Sequence, residues 1–140
     1  MARLVQCVPN FSEGRRQDVV EKIVEAIDSA SDARVVDYSL DQDHNRSVVT
    51  FLGEPEDIRK SVLAGATVAV EHIDLNIHRG GHPRIGAIDV IPVVPVRELT
   101  MADVVQLSYE IGKDIAEKLA IPVYFYERSA VHRHRANLAV

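Results

Sequence analysis

The feature that most constrains the fold is the order in which hydrophobic period changes along the chain. Leu4 to Val8 is a short β-rich run closed by Pro9-Asn10, and after Ser12-Glu13-Gly14 the apolar residues Val19, Val20, Ile23, Val24 and Ile27 recur at helical spacing. Two β-branched runs follow, Ala33 to Tyr38 and Ser47 to Leu52, which predict strands joined through the polar stretch Ser39 to Arg46 as a hairpin or an extended loop. Gly53-Glu54-Pro55-Glu56 opens a second helix, with proline in the first turn and acids near its positive end. That helix runs through Ile58, Val62, Leu63, Ala66 and Val70 to about Ile73. Ile88 to Val94 is apolar apart from Asp89, as in a strand covered on at least one face. Thr100 to Leu119 reads as a third helix, with Thr100 and Asp103 placed to cap it, and Pro122 to Tyr126 as a last short strand.

The resulting order is β-α-β-β-α-β-α-β. Its first six elements match the split β-α-β, or ferredoxin-like, arrangement, an α+β fold with helices on one face of an antiparallel sheet; here an extra helix and strand extend it. A chain of 140 residues fits one compact domain, since roughly 68% of the unfolded surface can be buried at this size. The net charge of -5 argues against nucleic acid as a partner, because phosphate binding is dominated by Lys and Arg; small molecules are favoured. A single cysteine, Cys7, excludes an internal disulfide, and Met1-Ala2-Arg3-Leu4 lacks the apolar run of a signal peptide, so the expected compartment is the reducing cytoplasm. The thiol itself sits in a strand-like run and reads as a small buried hydrophobe. Val90 to Val96 is too short, and twice interrupted by proline, to span a membrane.

Chemistry concentrates in His78-Arg79-Gly80-Gly81-His82-Pro83-Arg84-Ile85-Gly86, directly before the most hydrophobic run of the chain. Paired glycines let a ligand approach the main chain, and Pro83 holds the preceding histidine extended. Imidazole titrates near neutral pH and guanidinium forks carboxylates, so the segment carries both a proton shuttle and an anion clamp. The competing reading is a solvated connection between a helix and a strand. A zinc site is not expected: the four-residue spacing of His78 and His82 aligns ligands only on a helix, which Gly80, Gly81 and Pro83 oppose.

Three segments carry a resemblance: Val8-Pro9-Asn10-Phe11-Ser12-Glu13-Gly14-Arg15, Asp43-His44-Asn45-Arg46-Ser47-Val48-Val49-Thr50, and Gly81-His82-Pro83-Arg84-Ile85-Gly86-Ala87-Ile88-Asp89. In sequence and order they resemble the amino-terminal subdomain of glutamate formiminotransferase, a folate enzyme of histidine degradation. The resemblance implies a homodimeric transferase with two ferredoxin-like subdomains and folate in the groove between them. Residues 1–126 then form the first subdomain. Residues 127–140, ending Arg135-Ala136-Asn137-Leu138-Ala139-Val140, form a tail that resembles the link toward the second.

The implied reaction moves a formimino group from N-formimino-L-glutamate to N5 of tetrahydrofolate, the co-substrate, without a metal. Amine attack on the amidine carbon requires a proton to leave N5 and another to reach the departing glutamate nitrogen, and His82 matches the family's catalytic histidine. Arg46 and Arg84 suit the carboxylates of substrate and folate tail. Asp41, Asp43 and Asn45 suit the pterin ring and the amidinium, and Asn10 and Ser12 contribute through backbone amides at the following helix start. One departure is Ser39, where some members of the family place an acidic folate contact; Asp37 and Asp41 stand nearby as substitutes. His44 reads as loop structure or a minor substrate contact, and His72 as a helical residue. The alternative function is a stand-alone, non-catalytic folate-binding or regulatory module. In either case one uncovered sheet face is expected to drive association with a partner or a second copy.

Overall fold

The computed structural model describes residues 3–73 and 87–120. Its elements in chain order are β1 (Leu4–Cys7), β2 (Asn10–Phe11), α1 (Gln17–Ala30), β3 (Arg34–Asp41), β4 (Arg46–Gly53), α2 (Pro55–His72), β5 (Ile88–Val90), β6 (Val93–Arg97) and α3 (Met101–Leu119). The expected strand at Pro122 to Tyr126, the boundary at residue 126 and the tail 127–140 lie outside the described residues.

The first strand was expected to close at Pro9-Asn10. Instead, its register against β4 runs unbroken from Val5 opposite Gly53 to Phe11 opposite Ser47. Pro9 lacks a donor but keeps its acceptor, and its carbonyl takes the Val49 N–H at 3.1 Å. The apolar run from Ile88 is likewise divided, by Pro92, into β5 and β6, and the second piece reaches Arg97. Here the Val8 N–H donates to the Pro92 carbonyl at 3.0 Å. Neighbouring strands are therefore interrupted side by side, each by a proline that still accepts a bond.

Taken through these interruptions, the six segments form four strands in the order β3, β4, β1–β2, β6–β5, with every pairing antiparallel. This is the order that a split β-α-β unit produces, and the α+β reading stands. β3 outruns its expected end at Tyr38 and reaches Asp41, because the hairpin closes only at Gln42 to Asn45, where Asn45 takes a left-handed conformation with φ 53°. A register shift at Val36 bends this edge strand, a feature that blunts edge-to-edge pairing.

The period-2 alternation of the strands buries Val5, Cys7, Phe11, Val49 and Phe51 against the helices. Leu4, Gln6, Val8, Asn10, Val48, Thr50 and Leu52 occupy the opposite face and are half-buried. α1 packs on β3 and α2, α2 lies over the middle of the sheet, and α3 packs on α2 and β6. Gly65 permits the close approach of α1 and α2: a Cβ there would stand 2.6 Å from Ile27 Cγ1. Beside it, the buried Ser61 hydroxyl donates to the Ile27 carbonyl at 2.7 Å. α3 starts as expected, with Thr100 and Asp103 forming a reciprocal capping box.

Candidate functional site

At one end of the sheet, β2 sits between β4 and β5. Asn10 lies opposite Val48 on one side and Val90 on the other; Phe11 lies opposite Ser47 and Ile88. The Ser12 N–H donates to the Ala87 carbonyl at 3.0 Å. The first two chemistry-bearing segments, 8–15 and 43–50, thus meet each other and the last three residues of the third, Ala87 to Asp89. His82 and Arg84 lie outside the described residues.

Pro92 has a consequence for Asn10. With no N–H at Pro92 to return the bond it accepts, the Val8 carbonyl takes the Asn10 side-chain amide instead, at 3.1 Å. Asn10 therefore has its amide nitrogen fixed by its own strand, on the sheet face opposite the helices.

The loop from Ser12 to Arg16 is the hub of this end. Gly14 passes so close to the hairpin that a Cβ would stand 2.5 Å from the Asp41 carbonyl oxygen and nearer still to the backbone nitrogen and oxygen of Arg46. Its N–H donates to Asn45 Oδ1 at 2.9 Å. Arg15 reaches over the hairpin turn, donating from Nε to the Gln42 carbonyl at 2.8 Å and from Nη2 to the Asp43 carbonyl at 3.4 Å. Asn45 thus closes the hairpin onto the loop, while Asp43 lends its carbonyl.

Glu13 is 1% exposed. Burial raises its carboxyl pKa, but the main-chain N–H of Arg16, the Arg16 guanidinium and the main-chain N–H of Arg15 outweigh that and hold the group below the usual range. Its Oε2 accepts from the Arg15 and Arg16 amides at 3.1 and 2.8 Å, supplying the cap that no side chain provides at Arg16 itself. Of the amides leading into α1, expected from sequence to act beside Asn10 and Ser12, those of Arg15 and Arg16 are engaged by Glu13.

Arg46 is half exposed, pairs in register with Asp41 and stands 3.9 Å from Asp89. Asp41 accepts from His44 Nδ1 at 2.7 Å and from the amides of Asp43 and His44. The His44 ring bond, then its main-chain N–H, holds the Asp41 carboxyl low. Ser39 lies opposite Val48, with Asp37 and Asp41 two positions away on either side and therefore on the same face of β3. His72 ends α2. Ser47 Oγ is buried and has no partner among the described residues. Burial pushes the Cys7 thiol far up, which keeps it protonated and unreactive.

Among the described residues no group of three or more His, Cys, Asp or Glu side chains is placed to hold a metal ion, and no helix is long and apolar enough to cross a membrane. Sequence reasoning passed over Glu13, Arg15, Arg16 and Asp89 as individual site residues. The signal for the first three was an acid two residues before a pair of arginines at a helix start, a pattern able to satisfy backbone amides there.

Comparison with known proteins matches residues 4–140 to the formiminotransferase domain, N-terminal subdomain. The chain is 46% identical over 136 residues to a glutamate formimidoyltransferase of Thermoplasma acidophilum, covering 97% of this chain and 45% of that protein. It is 41% identical to a glutamate formimidoyltransferase of Streptococcus pyogenes serotype M1, covering 99% of this chain and 46% of the relative. A formimidoyltransferase-cyclodeaminase of Sus scrofa is also 41% identical, over 99% of this chain and 26% of its own length. The chain thus spans about half the length of the single-activity relatives.

Proposed function

Because the chain belongs to the formiminotransferase family, as its N-terminal subdomain, we propose that it supplies one wall of a glutamate formimidoyltransferase site. The reaction transfers the formimino group of N-formimino-L-glutamate to N5 of tetrahydrofolate in histidine degradation, in the cytoplasm. A second subdomain supplies the facing wall, and the assembly is a homo-oligomer. The observation that carries this reading is the convergence of Asn10, Ser12, Asp43, Asn45, Arg46 and Asp89 at one sheet end, beside Ala87, which follows the histidine-bearing segment in sequence.

N5 attacks the amidine carbon, and collapse of the tetrahedral species expels the glutamate nitrogen. His82 accepts the proton that N5 loses and delivers one to the leaving nitrogen, a role for which a group titrating near neutrality is suited. Arg46 and Arg84 bind substrate and folate carboxylates. Asn10 Oδ1, with its amide nitrogen already held, offers an oriented acceptor for amidine or pterin N–H groups. Asp37 and Asp41 flank Ser39 and supply the acid that this position lacks. Asp41 and Asn45 also shape the hairpin through their own bonds.

The test is His82→Ala, assayed for folate-dependent transfer in the presence of the second subdomain, with circular dichroism as the control for folding. General acid-base help of this kind contributes roughly 10²- to 10⁴-fold, so transfer falls by that factor while the dichroism spectrum is unchanged. Transfer within about twofold of the parent overturns the role of His82. If the parent assembly binds tetrahydrofolate but never transfers a formimino group, the non-catalytic folate-binding module is the better reading.

A further inference from the structure

The turn between β3 and β4 is held from three directions, each by a different kind of group. Its donors go to Asp41: the amides of Asp43 and His44 bond Oδ1 at 3.1 and 3.2 Å, and the His44 ring bonds Oδ2 at 2.7 Å. Its carbonyls go to Arg15, whose Nε donates to Gln42 at 2.8 Å and whose Nη2 donates to Asp43 at 3.4 Å. The side chain of Asn45 accepts from the Gly14 N–H at 2.9 Å. Asp41 belongs to the hairpin itself, so of these groups Gly14 and Arg15 are the two that tie the turn to another part of the fold.

The base from which Arg15 reaches is rigid. Glu13 is buried; its Oε2 takes the amides of Arg15 and Arg16, and its Oε1 takes Arg16 Nε at 2.9 Å and Nη2 at 2.8 Å. Arg16 Nη2 also donates to the carbonyl of His72, the last residue of α2, at 2.9 Å. The loop is thereby fixed to the helix layer, and Arg15 spans from it to the turn. Arg46 is the first residue of β4 after that turn, and its backbone lies against Gly14. Strand alternation puts its side chain on the face of Val48 and Asn10, opposite the helices.

We propose that Arg15 is a positioning residue for substrate binding: it holds the turn so that Arg46 meets the carboxylate it binds. The inference rests on the reading of Arg46 as a carboxylate-binding residue. A planar guanidinium grips a carboxylate through two parallel bonds, so the start of β4 must be fixed in direction as well as in place. A carboxylate remote from the reacting carbon is bound alike in ground state and transition state, so loss of Arg15 acts on KM rather than on kcat.

The variants are Arg15→Gln, Arg15→Lys and Arg46→Ala, with Arg15→Gln and Arg46→Ala also combined as a double-mutant cycle. Steady-state transfer with the second subdomain gives kcat and the KM of each co-substrate. Amide hydrogen exchange on the chain reports Gly14 and His44, whose bonds close the turn, against Val49 in the sheet as an internal reference.

Arg46→Ala should raise the KM of the co-substrate whose carboxylate it binds by roughly 10-fold, the loss of one charge-assisted pair. Arg15→Gln should raise the same KM by about 3- to 10-fold at a kcat within about twofold, and lower protection of Gly14 and His44 with Val49 unchanged. In the Arg46→Ala background it should change KM by less than about twofold, because the group it positions is gone. Unchanged protection at Gly14 and His44 overturns the proposal. So does a parental KM in Arg15→Lys while both amides stay unprotected, since charge alone would then suffice. Equal loss of protection at Val49 marks a merely structural role and overturns it as well. An Arg46→Ala protein with parental KM refutes the carboxylate role and the inference with it, whereas a raised KM with an additive cycle refutes the inference alone.

Discussion

Replacing Gly14 by alanine tests whether the loop and the hairpin are locked by backbone contact. The added Cβ would stand 2.5 Å from the Asp41 carbonyl oxygen and nearer still to two backbone atoms of Arg46. All three obstacles are main chain, in two paired strands, so no rotamer change relieves the clash. The loop must swing away and give up the Gly14 bond to Asn45 Oδ1, worth about 1 kcal/mol. Residual crowding adds about 1–3 kcal/mol. Alanine also restricts the unfolded chain, which returns about 0.4–1 kcal/mol. The net loss is about 1–3 kcal/mol, set against a total stability on the order of 5–15 kcal/mol for a domain. At this chain length that lowers Tm by about 3–10 °C, measured by calorimetry with the urea midpoint as a second reading. Gly65→Ala is the matched control: its Cβ meets side-chain atoms of Ile27, at 2.6 and 2.8 Å, in the helix layer. It should lower stability while leaving protection of the Gly14 amide intact. A Gly14→Ala protein with Tm within about 1 °C of the parent would refute the claim that backbone contact locks the loop.

Two further predictions concern charge. Arg59 joins α2 to α3 through a fork onto Asp114 at 3.0 and 3.1 Å, with Glu110 at 3.6 Å and Glu56 at 3.9 Å, so Arg59→Met should cost about 1 kcal/mol, less in high salt. Urea midpoints that show no loss, or a loss independent of salt, would count against an electrostatic clasp. Because the folded Glu13 carboxyl lies below its unfolded value of about 4.3, its contribution is present above that pH and is lost as pH falls through the folded pKa. The stability gap between parent and Glu13→Gln should therefore be widest near neutrality and shrink below about pH 4; a constant gap from pH 7 to pH 3 would exclude the linkage.

What the sequence determined by itself was everything that local rules govern. Helix period located α1 to α3, Thr100 with Asp103 announced the start of α3, and the strand-like run around Cys7 marked its thiol as a small buried hydrophobe. The family was legible too, because its three segments are contiguous strings. Tertiary structure decided what depends on partners distant in the chain. Pro9 read as a strand end and Pro92 as the inside of a single strand; the fold keeps Pro9 in register and divides the second run at Pro92, each proline still accepting a bond from a neighbouring strand through its carbonyl. Glu13 read as part of a loop, and its role appears only when Arg16 is seen to reach His72, 56 residues on. Asn45 read as a ligand for substrate, and the fold shows that it also binds the amide of Gly14, 31 residues back. Local propensity acts within a few residues, whereas a buried carboxylate or a strand proline is stabilised by groups that only chain closure brings within hydrogen-bond distance.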